Sequence, residues 1–136
     1  MSSEVITRND LTNILNEVLP NASVDYVVES GTSGIWHYRK WNSGVAECWG
    51  ATAVPSTTYS ANGGYKNVTA SLPSGLFNVT PPVVIANGRI DSVIATDIGF
   101  TAPNNTSTIQ TYLINRYSGA VTKTGMVYWI VKGTWK

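Results

Sequence analysis

From Val24 to Trp135 the chain is cut into short runs of apolar and aromatic residues, each bounded by Gly, Pro, Asn or Ser. No helical period survives that punctuation. The runs are Val24–Glu29, Ile35–Trp41, Val45–Ala53, Tyr65–Ser71, Pro82–Asn87, Val93–Thr101, Thr108–Tyr117 and Met126–Trp135. Eight short strands with frequent turn signals predict a mainly β fold, an antiparallel β-sandwich or jelly-roll-like head. The exception comes first in the chain, where Leu11, Ile14, Leu15 and Val18 recur at the spacing that lines one stripe of a helix. Thr7 and Asp10 form a capping box at its start, Ile6 is placed to staple onto Leu11, and Pro20 stops it. A helix this short is marginal alone in water, so its stripe needs a partner, either the body of the domain or the same helix in neighbouring subunits. The expected organisation is a helix, stalk and linker over residues 1–23 and a head over 24–136.

The sharpest local expectation is a hairpin at Ile35–Trp49 with the loop Asn42-Ser43-Gly44. A three-residue loop ending in Gly suits a type I turn followed by a left-handed residue, and Gly44 supplies the positive φ. That register sets Arg39 opposite Glu47 and His37 opposite Trp49, with Trp41 and Val45 on the same face. The other face holds Trp36, Tyr38, Lys40, Ala46, Cys48 and Gly50, whose small members suit packing on a second sheet. A second hairpin is expected at Tyr117-Ser118-Gly119-Ala120, joining the last two long strands.

Charged residues are 12% of the chain, with a net charge of +1, whereas Thr, Ser and Asn number 16, 13 and 12. Tracking of a nucleic-acid backbone needs a basic stripe, so no nucleic acid is expected. A 43% apolar content with five Trp and seven Tyr argues for a folded domain. A single cysteine, Cys48, closes no disulfide within its chain, and one Cys with one His, His37, falls short of the about four ligands of a structural zinc site. The amino terminus has no basic region followed by an apolar stretch, and no membrane-length apolar run occurs, so neither a signal peptide nor membrane insertion is expected.

Catalytic patterns are sparse. His37 lies mid-strand and no Gly-x-Ser-x-Gly elbow occurs. Glu29, Glu47, Asp91 and Asp97 are the carboxylates from which a glycoside-cleaving pair would have to come, and scattered turn and strand-edge positions are the simpler reading. Asn62-Gly63-Gly64 and Asn87-Gly88 are turn dipeptides, not phosphate loops. Arg39 and Glu47, framed by Trp41 and Trp49, are expected to be a cross-strand ion pair shielded by indoles, with a ligand cradle as the alternative. A neutral surface of amides and hydroxyls with aromatic rings suits carbohydrate, because sugars present hydroxyl networks and apolar ring faces.

The stretch Gly34-Ile-Trp-His-Tyr-Arg-Lys-Trp41-Asn-Ser-Gly44-Val-Ala-Glu-Cys-Trp-Gly50 resembles the Tyr-Arg-Lys-Trp-x-x-Gly-x-Ala-Glu-Cys-Trp-Gly segment of tail and minor structural proteins from phages and prophages of Gram-positive, particularly Firmicutes, hosts. The closing Val127–Gly133 is similar to the last strand of many tail-fibre tips. The resemblance implies a short helical stalk, a trimeric β-rich head that contacts host-surface saccharide, and a place in the virion tail or baseplate beside other tail proteins, acting outside the cell. It carries no ligand residues to this sequence.

The expected function is therefore a non-enzymatic homotrimeric receptor-binding head with no cofactor and no metal. The alternatives are a purely structural fibre-tip or decoration protein and, less favoured, a polysaccharide-cleaving tail enzyme. Ligand contacts are placed by composition on loops that join an aromatic to an amide or a charge. These are Tyr59, Asn62 and Tyr65; Asn87, Arg89 and Asp91; and Asn115, Arg116 and Tyr117.

Overall fold

The structure is a computed structural model that describes residues 7–18 and 24–136, with side chains given for all of these except 14–18. One helix, α1 (Arg8–Val18), precedes nine strands among the described residues. The capping box forms as the sequence predicts: the Asp10 amide donates to Thr7 Oγ1 at 3.1 Å, and the Thr7 amide donates to Asp10 Oδ2 at 3.0 Å. Leu11, the described member of the stripe, is half exposed. The expected staple residue Ile6 and the stop at Pro20 lie outside the described residues.

The strands are β1 (Val27–Ser33), β2 (Trp36–Trp41), β3 (Val45–Tyr59), β4 (Gly64–Ser71), β5 (Val83–Ile90), β6 (Thr96–Ile98), β7 (Ala102–Pro103), β8 (Thr108–Asn115) and β9 (Val121–Thr134). One antiparallel sheet has the order β1-β2-β3-β9-β5, and the other β4-β8-β6 with β7 also paired to β8. Their inner faces make the core. Trp36, Cys48, Val127, Trp129 and Val131 from the larger sheet are buried with Val68, Ala70, Ile109 and Leu113 from the smaller. The two core indoles find acceptors, Trp36 Nε1 at the Ser71 carbonyl (2.6 Å) and Trp129 Nε1 at Thr52 Oγ1 (2.9 Å). Burial of an indole N–H demands such a partner.

The mainly β architecture is the one expected, and the differences lie in strand length and connection. β3 and β9 run 15 and 14 residues and pair along almost their whole length, where shorter strands were expected. Pro55 does not end β3, because a register irregularity between Val54 and Thr57 absorbs it. Of the expected strand Val93–Thr101 only Thr96–Ile98 forms, as β6, and β7 follows just beyond it. The expected hairpin at Tyr117–Ala120 is not one: β8 belongs to the smaller sheet and β9 to the larger, so this connection crosses the sandwich. Its turn residues are right for a reversal, but turn chemistry does not say which sheet receives the next strand.

The Asn42–Gly44 hairpin forms in the expected register, Arg39 with Glu47 and His37 with Trp49. Gly44 has φ 100° and its amide donates to the Trp41 carbonyl at 2.9 Å. The chain enters β1 at this same end. The Asn42 amide donates to the Tyr26 carbonyl (2.8 Å), the Ser43 amide to Asp25 Oδ1 (2.9 Å), and the Trp135 amide to the Gly44 carbonyl (2.9 Å). The opposite end of the sandwich, remote from that entry, carries the loops that follow β3, β5 and β8.

Candidate functional site

At the remote end two of the loops chosen by composition come together through their backbones with the loop after β5, whereas Asn87, Gly88 and Arg89 lie within β5 and not in the expected turn, because β9 pairs with them. The Asn62 amide donates to the Tyr117 carbonyl at 2.9 Å, the Gly63 amide to the Asn115 carbonyl at 2.7 Å, and the Arg116 amide to the Ala95 carbonyl at 2.7 Å. Asn62 takes φ 58°, a left-handed conformation that Asn tolerates better than most residues. The third loop is pinned as well, the Asp91 amide donating to the Thr124 carbonyl and Val93 to Ile90. Backbone hydrogen bonds thus join the loops after β3, β5 and β8 into one cap.

Asn115 is the peg of that cap. It is fully buried, its Nδ2 donating to the carbonyls of Ser60 (3.2 Å) and Gly119 (3.0 Å) while its Oδ1 accepts from the Tyr117 amide (3.0 Å). Its amide is spent on holding the loops, so a ligand cannot reach it. Tyr59 is likewise in the core, 1% exposed, with its hydroxyl enclosed and unpartnered among the described residues. Burial pushes that hydroxyl's pKa up. The irregularity in β3 explains this placement: inward positions are even-numbered up to Val54 and odd-numbered beyond it, so Tyr59 turns inward.

The other candidates reach the surface in three places. Tyr117 is half exposed and lines a hollow of about 400 Å³ with Ser92, Val93, Ile94, Ala95, Val121 and Lys123. Arg116 pairs with Asp97 at 3.4 Å beside it. Arg89 donates through Nε to Asp91 Oδ1 at 2.9 Å and through Nη1 to the Tyr128 hydroxyl, and Asp91 also accepts from the Thr124 hydroxyl. That hydroxyl first, and Arg89 second, hold the Asp91 carboxyl below the usual carboxylate range. Asn87 sits on the same strand face as Arg89, opposite Tyr128. Tyr65 lies apart from these, on the outer face of the smaller sheet, edge-on to Tyr112 with ring centroids 5.4 Å apart.

Composition missed Ile94, whose side chain stands fully in solvent at the lip of the Tyr117 hollow. It falls inside the expected strand Val93–Thr101, where Val93 and Ile94 are β-formers. The signal that places it on a loop is Asp91-Ser92, where Ser92 takes φ 62° and turns the chain.

A further surface was only partly read. The outer face of the larger sheet carries a row of His37, Trp49, Ile130 and Ile85 in direct register across four strands. Ile130 and Ile85 are 55% and 56% exposed, and Ile35, Trp49, Tyr128 and Ile130 line a shallow depression of about 570 Å³. His37 stacks on Trp49 at 5.9 Å. At the edge of this row Arg39 Nε meets Glu47 Oε1 at 3.1 Å, Trp41 Nε1 donates to the same oxygen, and the guanidinium lies 4.7 Å over Trp49. The cross-strand pair shielded by indoles therefore forms as expected, and it uses the groups that a ligand cradle would need.

Two solved structures share this fold. One, an N-truncated R1-type pyocin tail fibre, superposes with a TM-score of 0.60 at 11% identity, covering 98% of this chain and 99% of that chain. The other, a P. aeruginosa R1 pyocin fibre comprising its C-terminal part, gives 0.61 at 11% identity over 97% of this chain, which spans 35% of that longer chain. No family model matches the sequence, and no curated protein matches it. The likeness is one of fold, a two-sheet body that tail-fibre fragments also adopt.

Proposed function

We propose that this chain is the receptor-binding head of a phage-type tail fibre, a homotrimer that recognises host-surface saccharide without catalysis and acts outside the cell from the virion tail, joined to other tail proteins. The observation that carries this reading is the convergence of three sequence-distant loops on the end remote from the chain's entry, where a stalked head meets its receptor. The fold shared with pyocin tail-fibre fragments supports it, as does the Gly34–Gly50 segment with its resemblance to tail proteins of Gram-positive phages.

Trimer formation is supported by the apolar row on the larger sheet, since contiguous exposed aliphatic and aromatic surface is characteristic of protein interfaces. Recognition without cleavage is supported by the carboxylates at the loop end, each already engaged by the chain's own groups: Asp91 by Arg89 and the Thr124 hydroxyl, Asp97 by Arg116. Weak sites in three copies gain about 10²–10⁴ in avidity, enough for firm adsorption.

The test is adsorption of the labelled full chain to host cells, comparing Tyr117→Ala, Arg116→Ala and Arg89→Ala with the parent. Reduced adsorption in at least one variant with an unchanged melting temperature is expected. If all three adsorb like the parent, the loop end is not the receptor surface. A parent that adsorbs to no host leaves the structural fibre-tip reading in its place.

A further inference from the structure

The outer face of the smaller sheet differs in kind from that of the larger. Strict alternation along β4 and β8 turns Tyr65, Asn67, Thr69, Gln110, Tyr112 and Ile114 outward, all uncharged. Beside them, just after β6, Gly99 donates its amide to the Tyr112 carbonyl at 2.8 Å and brings Phe100 alongside. Tyr65, Phe100, Tyr112, Ile114 and Gly99 line a shallow, open hollow of about 270 Å³. Phe100 is 68% exposed and Tyr65 66%, a large apolar area to leave in water at one spot.

Gly99 is the floor of this hollow. A Cβ there would come within 2.9 Å of Ile114 Cδ1, the movable end of its side chain, and 3.2 Å of Tyr112 Cβ, so a larger residue would press on both walls. The rings are held as well as exposed, Tyr112 being packed edge-on to Tyr65. Aromatic rings beside Gly99 offer stacking for an apolar ring face, and Asn67, paired with Tyr112, and Gln110, next along the same face, offer hydrogen bonds for hydroxyls around it. A peptide or second subunit calls for aliphatic area and charge pairing, which this chain concentrates on the other sheet. The nearest ion pair, Arg116 with Asp97, borders the patch at its loop end and is already closed on itself.

We infer that the Tyr65–Phe100–Tyr112 hollow is a second saccharide subsite, on the flank of the head, which stacks one face of a neutral pyranose. It rests on the reading of the chain as a saccharide-binding head for its ligand class, and its location is separate from the Tyr117 loop end.

The experiment titrates the isotope-labelled full chain with the methyl glycosides of glucose, galactose and N-acetylglucosamine, and with N-acetylneuraminic acid as an anionic comparison, following backbone amide shifts. Saturable shifts at Gly99 and Phe100 with a neutral glycoside, weaker with the anionic sugar, are expected. Phe100→Ala should weaken that binding about tenfold, the scale of one lost aromatic contact. Shifts confined to Arg116 and Tyr117 overturn the flank subsite and leave the loop-end reading standing. Silence everywhere overturns both. A flank response that survives Phe100→Ala, or a Phe100→Ala chain whose oligomeric mass falls, also overturns the subsite, the latter by making the patch an interface.

Discussion

Cys48, the fourth residue of β3, has no exposed surface, and burial pushes its thiol up to about 12. The neutral thiol is thus favoured in the fold. That preference is fully present below the thiol's unfolded pKa of about 8.5 and fades only as the pH rises through the folded value. Native protein is expected to resist thiol-specific labelling at pH 8 and to release one reactive group on denaturation; rapid labelling of the native chain would contradict the packing described. Asp91 carries the opposite sign. Its carboxylate is favoured in the fold, so its contribution is present above about pH 3.9 and is lost as the pH falls through the lower folded value. An NMR titration should find the Asp91 carboxyl ionising below the ordinary range, and Thr124→Val should return it upward. Tyr59 and Asn115 show where single residues resist reading. Each stands among turn formers that suggest a surface, and only long-range pairing, of Tyr59 with Val121 and of Asn115 with Gly64, decides that both turn inward.

At the scale of elements, what was legible followed from local chemistry. The Asn42-Ser43-Gly44 loop dictates its own register, and with it the face that carries Arg39, Glu47, Trp41 and Trp49. The capping box at Thr7 is equally self-contained. Gly44→Val should therefore cost about 1–3 kcal/mol, because φ of 100° strains a β-branched residue and its Cβ would press on Lys136 Cγ at 3.3 Å. Thermal unfolding reads that loss, and an unchanged melting temperature would mean the turn relaxes without strain. What stayed hidden was the partner of each strand. Tyr117–Ala120 has hairpin chemistry yet carries the chain between sheets, and β3 runs through Pro55 because β9 pairs beyond it on both sides. Neither fact is encoded within ten residues of the place it governs.

The whole molecule divides its surfaces by chemistry. The larger sheet shows solvent an aliphatic and aromatic row, the smaller sheet a face of amides, hydroxyls and rings with Asp97 at its β6 edge, and the remote end a cap of converging loops. If copies of the chain close over the row, the other two surfaces are left for ligand, and the proposal of a trimeric saccharide-binding head follows from that division. Composition placed the expected ligand contacts on loops and gave no sign of the smaller sheet's face, since its neutral polar residues are spread through the sequence and only strand pairing gathers them. The division stands or falls on the row of Trp49, Ile130 and Ile85. Light scattering across a size-exclusion peak should give three times the chain mass of 14.7 kDa for the parent and one chain mass for Ile130→Asp, with the β circular dichroism of both alike. A parent that elutes as a single chain at micromolar concentration, or an Ile130→Asp variant that keeps the parent's mass, would contradict it.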